Sequence, residues 1–502
     1  MADTAAENPP IPPADLSKIT FESTQNRRRI IASYWLIVIL ALPLWWKTTS
    51  IDRLSLPDGR ARALTEKHLS FPVHVKLEAG QEQHTRILGE ELTRWTNHAA
   101  QTSGLIVKIE RGSRPGSYSV VVEDGEDVKV DGRTLHLGTG DRHADAAQRV
   151  AETVTNLLAP HASLTASEEH RTVKYSSRYR LAFTLLNEDA SSGQAALSWD
   201  VREALEAYLH GTFDRLSILH NFTIESQVQY HAPLAFQPRP VKVAGQDAHG
   251  LTPEDLTVFV NSAEWTLASS SSNDPVLHFV LFVPSSSNAP FSDKTVGHSA
   301  SSNAFILPQW GGIVLLSNPP GHLAVSALEK TFQTFQRQLL TLLGVPDLPP
   351  GVRSAQAEAF TEWQLDALVR QRARQNFENS KETLNSIVKL VHQIENMPVG
   401  QDVKGDVQDA LIALDAALEA APSSSTQALQ HSADALTLSS RAFFNPGMLA
   451  LLYFPAEHKY AVYTPLFASV AAPLIAAIVR ELIAWRKARR AARQPEKRAR
   501  AD

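Results

Sequence analysis

IIASYWLIVILALPLWW, residues 30–46, carries no charge over 17 positions. That length lies at the short end of what crosses a bilayer as a helix. Arg27, Arg28 and Arg29 precede it, and Trp45 and Trp46 close it as an interfacial aromatic anchor would. A cleaved signal peptide has an apolar core of only ~7–15 residues and a small-residue cleavage site. This run is longer, begins late in the chain, and has no such site after it. It therefore reads as an uncleaved anchor.

A second apolar segment occupies residues 461–483, with the core LFASVAAPLIAAIV. Ala468, Ala471, Ala472, Ala476 and Ala477 would let another helix approach closely. RKARRAAR follows directly, and residues 486–502 carry eight Lys or Arg against two acids. The first 29 residues are neutral, so with a net charge of −5 the chain between the two tails carries −11. Both basic flanks lie outside the pair of spans, and the positive-inside rule then puts both termini in the cytosol. A basic tail on an acidic chain reads as a membrane-side anchor, with no nucleic-acid partner implied. Residues 1–29, with Pro9, Pro10, Pro12 and Pro13, read as a disordered cytosolic tail, and 486–502 as a basic cytosolic tail.

The bulk of the chain then lies between the spans, as three blocks. Over 60–160, Val73, Val75 and Leu77 alternate with polar residues, the period of a half-buried strand. A helix follows over 81–99, then strands at 105–110 and 117–123. A hairpin over 128–137 turns at Asp131-Gly132, and a helix spans 141–158. Over 170–345 the order recurs: YRLAFTLLN (179–187) as a strand, a helix at 197–217, and FTIESQVQY (222–230) as a strand. VLHFVLFVP (276–284) and GGIVLLSN (311–318) are apolar strands, and a helix at 323–344 ends the block. This is an α/β (α+β) pattern in two mixed-sheet blocks, and the repeated order invites a reading as duplication. Residues 353–455 carry only helical spacing, as in Leu384, Ile387, Val391 and Ile394, and read as a packed helical hairpin or a coiled-coil surface.

The chemistry is sparse. The chain has no cysteine, so it can form neither a disulfide nor a thiolate metal site, nor supply a cysteine nucleophile. It contains no nucleophile elbow, metalloprotease helix, P-loop or dinucleotide fingerprint. Gly138-Thr139-Gly140 is a short loop before a helix. His210, His220 and His231 have no metal-ligand spacing. Glu254 and Asp255 follow Thr252-Pro253 and read as a turn or a helix start, and the serine runs at 269–272, 285–287 and 299–302 read as loop. No catalytic residue, cofactor or metal is assigned. Asn221-Phe222-Thr223 is a glycosylation sequon on the side assigned to the lumen.

Several stretches, in order, resemble the PIG-S family. They are YRLAFTLLNED with Trp199-Asp200 after it, LHNFTIESQVQYHAPL, VLHFVLFVP, Pro308-Gln309-Trp310-Gly311-Gly312-Ile313, and LLYFPAEHKYAVYTPLF at 451–467. The resemblance covers most of residues 25–485. It implies an endoplasmic-reticulum membrane protein in GPI transamidase, the complex that replaces a C-terminal signal with a GPI anchor. The implied partners are PIG-K, which supplies the cysteine nucleophile, with PIG-T, PIG-U and the GPI-anchor attachment protein. The chain's lack of cysteine agrees with a role other than enzyme. Trp310, Gly311 and Gly312 are either a turn with a packed ring or a subunit contact. A membrane-anchored luminal hydrolase and a stand-alone luminal chaperone or tether are the other classes open on sequence.

Overall fold

The computed structural model describes residues 23–49 and most of 53–498. The longest stretches outside it are 1–22, 139–145, 161–169, 252–272, 294–302 and 450–455. The Pro-rich tail, Thr139-Gly140, Glu254, Asp255, two of the serine runs and LLYFP thus lie outside the described residues. The chain forms two compact units. One comprises Leu56–Lys389 with Gly405–Phe443, and the other the described residues of Met1–Ser55, Leu390–Lys404 and Phe444–Asp502.

In the larger unit, the first block begins with a helix α2 (Asp58–Thr65), following the N-terminal helix α1 (Thr24–Thr49) in the chain. Strand β1 (Phe71–Ala79) and helix α3 (Glu82–Ser103) come next. Strands β2 (Leu105–Glu110), β3 (Tyr118–Glu123), β4 (Val128–Asp131) and β5 (Thr134–Gly138) precede helix α4 (Ala146–Leu158). Phe71, Val73, Val75 and Leu77 are buried while His74, Lys76 and Glu78 are not, so β1 has the half-buried alternation its sequence prescribes. Gly132 takes φ 53° at the β4–β5 turn, a conformation that glycine adopts without penalty.

The second block starts with β6 (Arg178–Asn187), β7 (Ser198–Trp199), α5 (Val201–Tyr208), α6 (His210–Leu216) and β8 (Asn221–Gln229). A small sheet of β9 (Arg239–Val243), β10 (Gln246–Leu251) and β12 (Phe291–Asp293) is interleaved with β11 (Val276–Val283). Strands β13 (Ala304–Leu307), β14 (Gly311–Leu315) and β15 (His322–Leu323) lead into α7 (Val325–Leu343). The sequence suggests one helix over 197–217. The structure instead pairs Ser198 and Trp199 in parallel with His322 and Leu323, and starts the helix at Val201. Trp199 is drawn out of the helix to pack its ring 6.1 Å from Phe332.

Strand β6 is buried along nearly all its length, as a central parallel strand covered on both faces must be. Phe183 stacks on Phe279 and Phe332 toward α7. On the other face Leu186 joins Val280, Phe282, Ile313 and Leu315.

The two blocks share one topology. The first sheet runs β2-β1-β3-β5-β4 and the second β8-β6-β11-β14-β13. In each, three parallel pairings are followed by one antiparallel pair at the same place. A helical connection separates the first two strands of each block, and a helix follows the last. One extra strand, β16 (Val352–Ser354), extends the first sheet beside β4. The reading of 353–455 as wholly helical therefore gives way at its start, where Val352–Ser354 completes a sheet.

Helices α8 (Glu362–Gln393), α9 (Gln401–Ala420) and α10 (Ser425–Phe443) follow. Ala428, Leu429, Ser432, Ala435, Ser439 and Ala442 form the buried stripe of α10. Arg441 donates twice to the Asp406 carboxylate on α9, with Nε to Oδ2 at 2.8 Å. Helix α8 is fastened to the first sheet by charge. Arg133 and the Tyr118 hydroxyl both donate to Asp366, and Arg370 donates to the Tyr118 oxygen and to Leu158 O.

In the smaller unit α1 contains Pro43 and exposes Leu36, Ile37, Leu40 and Leu44. A short helix α11 (Pro446–Leu449) precedes α12 (Ala456–Arg498). Within α12, Ala461–Arg490 is long and apolar enough to cross a membrane, and its apolar core has no fully buried residue, though Ala471, Leu474, Ala477 and Ile478 are half-buried. Arg27 and Arg28 both pair with Glu481, Arg28 at 2.9 Å.

Candidate functional site

Pro308-Gln309-Trp310-Gly311-Gly312 makes the turn from β13 into β14, with Gln309 at φ 61° and the Trp310 N–H donating to Leu307 O. The Trp310 ring lies 4.8 Å from the His278 ring in a stacked arrangement, and the His278 N–H donates to Trp310 O. The two glycines matter for close approach. A Cβ at Gly311 would stand 1.9 Å from His278 O on β11. One at Gly312 would stand 2.1 Å from the Gln338 Oε1 on α7. Gln338 is buried and donates to Phe305 O and Ile313 O, tying α7 to both strands of the hairpin. Trp310 is partly buried against the Leu186–Phe282–Ile313 cluster. The motif thus seats β14 against a neighbouring strand and a helix at once.

His278 is held neutral: burial, then the nearby Arg180 charge, pushes its pKa down to about 4. His220 is also pushed down to about 4, by burial. Its Nδ1 donates to Ser176 O, and Tyr175 and Tyr179 flank its ring. His210 is exposed beside Asp214, and His231 is exposed. The three histidines the sequence singled out do not converge, and no metal-binding group is found among the described residues. Asn221 is exposed at the start of β8, its backbone N–H donating to Ser177 O, and Thr223 is exposed two residues on.

In an open parallel sheet, ligands settle outside the carboxyl ends of the strands, where the strand order reverses. In the second block that place lies between β6 and β11, and the chain fills it with its own side chains. The Glu188 carboxylate accepts from the Ser285 N–H at 2.8 Å and the Asn288 amide at 2.6 Å. Asn187 exchanges two hydrogen bonds with the Ala196 backbone and donates to Gln229 O. Sequence reasoning passed over both residues, although the polar pair ending an apolar strand in YRLAFTLLNED was visible.

One further convergence escaped the sequence, because its members come together only through the β7–β15 pairing. Ser198 Oγ lies 2.8 Å from His322 Nδ1, and His322 Nε2 lies 3.4 Å from Asp200. These are the side-chain types of a hydrolase triad. Ser198 and His322 are exposed and Asp200 is only half-buried, on a ribbon of two-residue strands, so the carboxylate lacks the buried position that fixes a catalytic imidazole.

The family model for phosphatidylinositol-glycan biosynthesis class S protein matches residues 32–488.

The chain belongs to the PIG-S family.

Its relatives span the same length. The Homo sapiens protein named GPI-anchor transamidase component PIGS is 27% identical over 95% of this chain and 98% of its own. The Schizosaccharomyces pombe GPI transamidase component PIG-S homolog is 28% identical over 94% and 87%. The Saccharomyces cerevisiae GPI transamidase component GPI17 is 24% identical over 90% and 91%. In this PIG-S chain the turn at Trp310, the filled crevice at Glu188 and the sequon at Asn221 all belong to the second block.

Proposed function

We propose that this chain is a non-catalytic subunit of GPI transamidase in the endoplasmic-reticulum membrane, where it holds other subunits in place. The observation that carries this is the family match from residue 32 to residue 488, over nearly the whole length of relatives named as components of that complex. The absence of cysteine supports it, because a transamidase that forms a thioester needs a thiolate from another subunit. The Glu188 side chain in the crevice between β6 and β11, with Asn187 committed beside it toward β8, supports it too. Helices α1 and α12 would both cross the bilayer, with the termini cytosolic and the blocks luminal. The partners on this reading are PIG-K, PIG-T, PIG-U and the GPI-anchor attachment protein. The matched sheet topologies favour an origin by internal duplication.

The test is affinity purification from mild detergent. Recovery of the other subunits at fixed stoichiometry is the expected result, and recovery of the chain alone would defeat the subunit reading. Ser198, His322 and Asp200 give a hydrolase the one specific observation in its favour. Ser198→Ala separates the two readings. It should leave GPI attachment intact, and its abolition in a fully assembled complex would make this chain an enzyme.

A further inference from the structure

The edge of the second sheet carries a feature that the proposed role leaves unused. Strand β8 stands last in the order β13-β14-β11-β6-β8, and it is nine residues long. Edge strands in monomers are commonly shortened, charged with lysine or interrupted by proline. Strand β8 reads NFTIESQVQ and has neither lysine nor proline. Ile224 is 41% exposed, and Ser226 on the same face is exposed.

Beside that face, helices α5 and α6 leave an open groove of about 540 Å³. Leu205, Phe213 and Ile224 contribute apolar surface, while Arg202, Glu206 and His210 bring polar heads to it. Arg202 and Glu206 are exposed and take part in no ion pair among the described residues. The fold itself does not require such a gap. In the first block β2 holds the same edge position and α3 the same place in the connection. There α3 packs close on the strand, where a Cβ built at Gly89 would stand 3.3 Å from Ile109 Cδ1. In the second block α6 touches β8 through Phe213 on Phe222, ring centroids 5.4 Å apart, and the groove opens beyond that contact at Ile224 and Ser226.

We propose that this groove binds an extended polypeptide segment of another subunit, which adds as a strand along Asn221–Ser226. The occupant's chemistry follows from the surface. An edge backbone selects an extended main chain, and a flanking pocket selects alternate side chains. An apolar side chain meets Leu205, Phe213 and Ile224, an acidic one faces Arg202 and a basic one faces Glu206. Period-two alternation puts Asn221 and Thr223 on the opposite face from Ile224 and Ser226, so a glycan at Asn221 leaves the groove clear. The inference rests on the subunit reading above.

The test uses the assembled complex in its membrane, with a benzophenone amino acid in place of Ser226. Ultraviolet light should join it to one short segment of another subunit. Backbone amides within 222–226 should exchange at least ten-fold more slowly in the complex than in the separated chain. Ile224→Lys should lower the cross-link ten-fold or more. Arg202→Glu, a surface change that does not threaten folding, should lower it in parallel. A cross-link only to lipid or to a second copy of this chain would overturn the proposal. So would no cross-link at all, or unchanged amide exchange. Failure of the other subunits to copurify defeats the subunit reading, whereas an intact complex with a silent probe defeats only the groove.

Discussion

At the scale of single residues, the Trp-Gly-Gly turn and two buried histidines dominate. Gly312 is set by contact: the nearest atom to a new Cβ belongs to Gln338, a side chain already committed to two carbonyls. Gly312→Ala should therefore destabilise by ~1–3 kcal/mol, the usual range for overpacking a core. Thermal melting of the purified chain reads this out, and an unchanged melting temperature would mean Gln338 can withdraw freely. Trp310→Ala should cost less than the ~3–5 kcal/mol of a fully buried ring, because Trp310 is only partly buried. The histidines give a pH prediction. His220 and His278 have folded pKa values of about 4 against an ordinary 6.5. The unfolded chain thus binds more protons between those values, and stability must fall as pH drops from about 6.5 toward 4. Stability measured across that window should slope downward with acid. His220→Leu should lower stability at pH 7, through loss of the bond to Ser176 O, yet remove part of the slope. A slope identical in the variant would assign the acid sensitivity elsewhere.

Among the secondary-structure elements, the junction of α7 and α8 depends on one guanidinium. Arg372, on α8, donates to Leu343 O at the end of α7 and to Val173 O, and burial holds its pKa below the ordinary arginine value. Cations at helix C-termini satisfy carbonyls that have no intrahelical donor. Arg372→Met keeps much of the volume but orphans both acceptors, and each orphan costs ~1–3 kcal/mol. The larger unit should melt markedly lower in this variant, and a shift no larger than that of an exposed-arginine control would show that water replaces the guanidinium. The sequence announced most of these elements but none of their long-range ties. β1 and the Asp131-Gly132 hairpin were legible because a half-exposed face leaves a period-two signature and a tight turn demands glycine. β6 was legible as a buried strand through its near-continuous apolar run. Ser198–Trp199 was misread because two residues of strand leave no period, and the pairing with His322–Leu323 lies 124 positions away. β16 was missed for the same reason. Trp310, Gly311 and Gly312 were singled out by resemblance, while the reason for the glycines needed the neighbouring β11 and α7 to be in place. The groove beside β8 was invisible, since a gap between a helix and a strand has no residue pattern of its own.

At the scale of the whole molecule, the proposed topology places opposite demands on its ends and its middle. Helix α1 and the Ala461–Arg490 stretch of α12 carry exposed apolar side chains, and on the proposed topology these face the bilayer. Arg27, Arg28 and Arg29 flank one helix and Arg486, Lys487, Arg489 and Arg490 the other, so the charge bias acts at both ends in the same sense. Moving either basic cluster across the bilayer opposes that bias, whereas the intervening chain, at −11, meets no such barrier. Protease added to sealed microsomes should therefore trim both tails and leave a core about 5 kDa smaller than the 55.1 kDa chain. Two epitope tags, one at each terminus, should disappear together. If Asn221 carries a glycan, glycosidase should further shift the protected core, and Asn221→Gln should abolish that shift, since the asparagine lies exposed at the start of β8. A terminus that survives protease until detergent is added would place it in the lumen and reverse the orientation of its helix. Digestion of the core without detergent would be more damaging, because both sheets would then face the cytosol.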